Sequence, residues 1–186
     1  MPTIPGFADC WGISVIHCPY CHGYEYKEQE TGILLNGDPA FELARMIRNL
    51  TSRLTIFTNG NSLISEMHQA QLIAMRVGIE EREISEFVHK NGYISSIVFK
   101  DGTHSSLDAL YARPAFEQHC QIPKEIGCKF TDAGHIKVDD VQRTSIPGVF
   151  AAGDNATGFR AVAIAIAAGN KAGAVINHEL VAEKTW

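Results

Sequence analysis

What this chain has little of narrows its function first. It has no cluster of lysine and arginine: 16 basic residues are scattered singly against 21 acidic ones, for a net charge of -5. A groove tracking nucleic-acid phosphates needs grouped cations, so nucleic-acid binding is excluded. It has no long apolar run. The longest nearly uninterrupted one, Ala161 to Ala168, is far below the roughly 20 residues that span a bilayer, so no membrane span is expected. The N-terminus, MPTIPGFADC, lacks the basic and apolar regions of a secretory signal, and the expected location is the cytoplasm. It also has no cysteine framework, because five irregularly spaced cysteines do not suit a secreted disulfide scaffold.

What is present is an ordinary folding composition, with 45% hydrophobic and 20% charged residues over 186 positions. That is enough chain for one domain or two small lobes with a real core. From Thr31, GILLNG reads as a strand, and DPAFELARMIRNL reads as a helix with Asp38 as N-cap and Pro39 at the first helical position. RLTIFT (Arg53 to Thr58) is a second strand, and SLISEMHQAQLIAMRVG a second helix that Gly78 is expected to stop. This alternation predicts a parallel sheet. EISEFVHK and YISSIVFK then form two strands joined at Asn91-Gly92, a hairpin signal. Beyond Pro114 and Pro123, a strand GVFAAGD and a small-residue helix from Arg160 to Val181 close the chain.

Chemistry concentrates at HCPYCH, His17 to His22. Cysteines three apart in a reducing compartment point to redox or metal chemistry more than to a structural staple. A glutaredoxin-type site would need a long helix after CPYC, where this chain has the turn-like HGYEYKEQETG. Zinc would need four ligands, but adjacent residues do not readily converge on one tetrahedral centre, and Cys120 and Cys128 are too widely spaced for a second pair. Two buried inert thiols remain the plain alternative. Redox chemistry fits best, and no metal site is expected.

The order PGFADCWGISVIHCPYCHGYEY, a βαβ unit, a hairpin and then TSIPGVFAAGD resembles the low-molecular-weight thioredoxin reductases, over essentially the whole chain. The resemblance implies an α/β fold. A Rossmann-like pyridine-nucleotide domain, residues 22–105, would carry the CxxC at its edge. Residues 1–21 and 106–186 would form an incomplete FAD-binding lobe. It further implies a redox disulfide of Cys18 and Cys21, with Cys21 next to flavin and Cys18 exchanging with substrate. His22 stands where the family has an acidic proton donor, and an imidazole suits proton transfer to or from a thiol; the alternative is a solvated turn residue. Gly153 and Asp154 match the motif that holds FAD. Arg160 and Ala161 would open a helix whose N-terminal amides meet the flavin.

Two departures from the family pattern bear on function. The expected GxGxxG or GxGxxA turn reads Leu35-Asn36-Gly37-Asp38-Pro39-Ala40, so only Gly37 and Ala40 survive of the nucleotide-binding pattern. The second strand ends in Thr58-Asn59-Gly60, without the acid or arginines that read a ribose or its 2′-phosphate. Both put NAD(P)H use in doubt and bring the chain closest to the gliotoxin- and holomycin-type FAD-dependent dithiol oxidases. In addition, about a hundred residues of the family's first βαβ unit have no counterpart, which predicts a fragment of a longer protein that pairs as a homodimer. The expected function is thus FAD-dependent, oxygen-linked oxidation of a small dithiol or thioredoxin-like partner. The alternatives are an NAD(P)H-dependent thioredoxin reductase and a flavin-free Rossmann-like scaffold.

Overall fold

A computed structural model describes residues 1–184. Contacts divide these residues into a unit spanning Met1–Pro114 and a second from Ala115 onward. The first begins with a helical turn, α1 (Phe7–Cys10), then β1 (Val15–Ile16) and another single turn, α2 (Pro19–His22). Next come β2 (Thr31–Leu34), α3 (Asp38–Ile47), β3 (Leu54–Phe57), α4 (Glu66–Ala74) and β4 (Gly78–Glu80). Three antiparallel strands follow, β5 (Ile84–Lys90), β6 (Tyr93–Phe99) and β7 (His104–Ser106), and the chain then returns through β8 (Ala109–Ala112). The parallel sheet has the order β1-β8-β2-β3-β4 and the antiparallel one the order β5-β6-β7. The α/β class and the Rossmann-type arrangement expected from the sequence are both present.

Two apolar clusters hold this unit. On one face, Ile33, Leu43, Ile47, Ile56 and Leu72 bury α3 and α4 against the parallel strands. The other joins Phe57 and Leu110 to Phe87, Ile97 and Phe99 of the hairpin, together with Phe7, Cys10 and Val15 of the N-terminus. Residues 1–21, expected beside the C-terminal lobe, therefore pack within the first unit. So does β8, because its run of four buried residues fills the gap between β1 and β2. Ser14 pins the N-terminal segment to the hairpin: its buried hydroxyl donates to the Gly92 carbonyl at 2.6 Å and accepts the Ile94 N–H at 2.9 Å. Ser14→Ala strands two buried backbone groups, and an unfolding free energy lower by about 2 kcal/mol is expected in urea titrations.

Several boundaries differ from the sequence reading. Gly37, at φ 78°, caps α3, so Asp38 lies inside the first turn and its side chain is released for another partner. Gly78 does not stop α4. The helix ends at Ala74, Arg76 takes a left-handed φ of 58°, and Gly78 opens β4, which pairs with β3. Asn91 and Gly92, at φ 53° and 83°, do form the expected hairpin turn.

In the second unit, α5 (Ile122–Glu125) is one turn and α6 (Val162–Ala182) is long. Its small core gathers Cys128, Ile136 and Ala151 with Phe130, Val138, Ile146 and Val149. GVFAAGD is not a strand here. A single bridge, Arg143 to Phe150, is its only pairing among the described residues, too little to propagate a ladder. Polar ties hold α6: Arg143 Nε donates to Glu179 Oε1 at 2.5 Å, and Lys171 Nζ to the Asp140 carbonyl at 2.9 Å. Its apolar Val162, Ile166 and Leu180 are exposed. Among the described residues no helix is long and apolar enough to cross a membrane.

Candidate functional site: the dithiol edge of the parallel sheet

β1 delivers Cys18 to the N-cap of α2, where extended backbone (φ -123°, ψ 113°) meets Pro19 at the start of the helix. Proline suits that position because the first helical residues need no amide donor. The Cys21 N–H donates to the Cys18 carbonyl at 3.2 Å, closing the turn that brings the two cysteines together. One turn of helix contributes little dipole, which separates the site physically from a glutaredoxin. No disulfide joins the two cysteines; Cys18 is half-buried and Cys21 exposed. The Cys21 thiol is pushed up first by its hydrogen bond to Cys18, then by burial and the Cys18 charge. Ionising Cys21 breaks that bond, which is why the bond raises the thiol. His22 lies on the same turn, with Nδ1 at 3.4 Å from Glu25 Oε2 in solvent. Glu25 is a neighbour that the sequence reading did not single out.

Tyr111 of β8 was also missed. Its register partners are Ile16 on one side and Ile33 on the other, so it lies in the sheet beneath the CxxC turn. Burial, then the charges of Cys18 and Tyr26, push its phenol up to about 12. The ALYA run that carries it is so short, and so close to Pro114, that it has no visible period.

The remaining expected site residues fall in two other places. Gly37 and Ala40 lie where β2 runs into α3, at the same carboxyl edge of the parallel sheet as Cys18. Ala40 is fully buried and packs the helix onto the sheet. Around them, Asp38 Oδ1 accepts the Ser65 N–H at 2.9 Å and lies 2.8 Å from His68 Nδ1. The Ser65 amide, then His68, hold the Asp38 carboxyl down to about 2. An unfolded aspartate titrates near 3.9. Asp38 therefore stabilises the fold above about pH 4, and that contribution is lost as pH falls from about 4 to about 2. Asp38→Asn is expected to flatten this part of the acid-unfolding profile, measured by circular dichroism.

Gly153, Asp154, Arg160 and Ala161 belong to the second unit. Gly153 takes φ 88°, and a Cβ there would find only the Ala165 Cβ at 4.0 Å. Asp154 is exposed, and among the described residues no hydrogen bond or ion pair takes up its carboxylate. The helix starts later than expected: Ala161 is its N-cap, so the unpaired amides are those of Val162, Ala163 and Ile164. Arg160 instead lies over the Phe116 ring, 5.3 Å from its centroid. An open glycine turn, an unclaimed carboxylate and free helix amides fit the polar parts of FAD. Among the described residues, no three or more His, Cys, Asp or Glu side chains gather as a metal site.

Comparison with known proteins agrees with this arrangement. Residues 1–169 match the family model of the pyridine nucleotide-disulphide oxidoreductases. Thioredoxin reductase tcpT of Claviceps purpurea is 34% identical over 98% of this chain and 60% of its own length. Thioredoxin reductase of Treponema pallidum is 28% identical over 89% of this chain and 56% of its own. Among solved structures, HlmI superposes with a TM-score of 0.88 at 27% identity, covering 98% of this chain and 57% of that one. An oxidoreductase from Agrobacterium tumefaciens gives 0.86 at 30%, covering 99% and 62%. The chain thus spans about 60% of the length of such relatives. With the match running through both units, the chain belongs to the pyridine nucleotide-disulphide oxidoreductases, in their thioredoxin reductase-like branch.

Proposed function

We propose that this chain is the thiol-exchanging part of an FAD-dependent disulfide oxidoreductase that oxidises a dithiol and passes the electrons to oxygen. The observation carrying this reading is the pair of free cysteines, Cys18 and Cys21, brought together on one helical turn. In the oxidised protein, one thiolate of the substrate attacks Cys18 Sγ, the Cys18–Cys21 bond breaks, and Cys21 leaves as thiolate. The second substrate thiolate then attacks the sulfur attached to Cys18, releasing Cys18. The substrate is oxidised by two electrons and the protein pair reduced by two. His22, held by Glu25, takes up and returns the protons at Cys21. When bound, FAD removes the two electrons from the dithiol and delivers them to oxygen.

Gly153, Asp154 and the amides at the start of α6, with Arg160 and Ala161 leading into them, are the flavin contacts in this proposal. Gly37 and Ala40 are remnants of a nucleotide turn. The substrate is a small dithiol or a thioredoxin-like protein in the cytoplasm, and the working form is a homodimer. Tyr20 and Tyr24, exposed on either side of Cys21, present aromatic surface to such a substrate. The names of tcpT and other relatives favour a second reading, an NAD(P)H-dependent thioredoxin reductase.

Anaerobic spectroscopy of the protein in its longest natural form separates the readings. Bleaching of the flavin band near ~450 nm by a small dithiol and not by NADPH is expected. Rapid bleaching by NADPH supports the reductase instead, and absence of any flavin band after adding FAD leaves only a scaffold.

A further inference from the structure

We propose that Asn36 and Asp38 are internal ligands of the backbone amides at the β2–α3 and β3–α4 turns, occupying the place of a dinucleotide's phosphates and excluding them. The inference deepens the oxidase reading and rests on it for its functional meaning. In dinucleotide-binding folds the first turn is glycine-rich so that its amides and the following helix can approach a pyrophosphate. Here the side chains of the turn satisfy the donors instead. Asn36 Oδ1 accepts from the Gly37 N–H and the Leu63 N–H, both at 2.8 Å. Its Nδ2 donates to the Asn61 carbonyl at 2.9 Å and, more weakly, to Thr58 at 3.4 Å. One carboxamide thereby ties the two turns together.

Asp38 completes the arrangement at the next helix. Ser65 is the N-cap of α4, yet its buried hydroxyl makes no capping bond. The Ser65 amide goes to Asp38 Oδ1, which also contacts His68, and the His68 ring stacks on Phe41 at 4.1 Å and 10°. Glu81 Oε1 accepts the Ser62 N–H at 2.6 Å, so a second carboxylate serves the same turn. Asp38 at the Ser65 amide and Glu81 at the Ser62 amide thus put two carboxylates on the donors of this turn, and Glu66 follows in the first turn of α4. An incoming phosphate would have to displace the Asp38 carboxylate and approach the Glu81 carboxylate on the same turn, which repels it.

Residue-resolved amide hydrogen exchange of the full chain tests this without flavin or turnover. The Gly37, Leu63 and Ser65 amides are expected to exchange slowly, and millimolar NADPH, NADH or inorganic pyrophosphate to leave them unchanged. Asn36→Ala should speed Gly37 and Leu63 by about 10-fold or more, and Asp38→Ala should do so for Ser65. Asp38→Asn keeps an acceptor oxygen and should retain Ser65 protection. If one alanine variant fails to fold, the other still decides. Slowing of these amides by NADPH or pyrophosphate in the unaltered chain overturns the inference, as do alanine variants that exchange no faster. Failure of dithiol-driven bleaching with these amides still closed to nucleotide removes the oxidase reading and leaves this inference standing.

Discussion

Cys21→Ser is expected to lower dithiol-driven flavin reduction by at least about 10³-fold, because a residue acting as part of a covalent relay cannot be compensated by its neighbours. The same variant should trap chemistry at Cys18. With no thiol at position 21, a small aromatic disulfide should leave a stable mixed disulfide on Cys18, detectable by mass spectrometry. Cys18→Ser should lose turnover equally and trap much less, because in the proposed reaction Cys21 serves the flavin and Cys18 exchanges with substrate. Cys120 is exposed and would react as well, whereas Cys10 and Cys128 are buried, so the comparison belongs in a Cys120→Ser background. Equal trapping at either cysteine would refute the assignment of Cys18 as the exchanging sulfur.

Phe57→Ala is expected to be the most destabilising single change in the first unit, by roughly 3–5 kcal/mol. Phe57 is 1% exposed, lies at the end of β3 and stacks on Phe99 with centroids 6.2 Å apart, so it connects the parallel sheet to the hairpin. With Leu110, its ring fills the space left by a glycine in the neighbouring strand: a Cβ on Gly32 would come within 2.7 Å of Leu110 Cδ1 and 2.8 Å of Phe57 Cε2. Gly32→Val should therefore be strongly destabilising alone and less so combined with Phe57→Ala, which removes the Phe57 clash and leaves that with Leu110. Urea unfolding of the four proteins reads both the cost and the coupling. A cost for Phe57→Ala below about 1 kcal/mol would show that the two sheets do not depend on this contact.

Local physics made much of this protein legible. The alternation of apolar strand and amphipathic helix through Thr31 to Ala74, the Asn91-Gly92 turn and the CPYC turn each depend on residues within a few positions of one another. Elements whose identity comes from distant neighbours were not legible. β8 is four buried residues beside a proline, and it is a central strand only because β1 and β2 flank it. β4 reads as the end of a helix until β3 pairs with it. GVFAAGD has a strand-like composition but only one bridge to support it among the described residues.

By itself the sequence determined where the two thiols sit, because Pro19 and one turn of backbone bring Cys18 and Cys21 together whatever surrounds them. It also determined that a βα turn lacked its glycine. Only the tertiary structure decided what stands in that turn. Asn36 meets Leu63, and Asp38 meets Ser65, across 27 residues of chain. A side chain can claim a backbone amide that far away only after two parallel strands have aligned the turns that follow them.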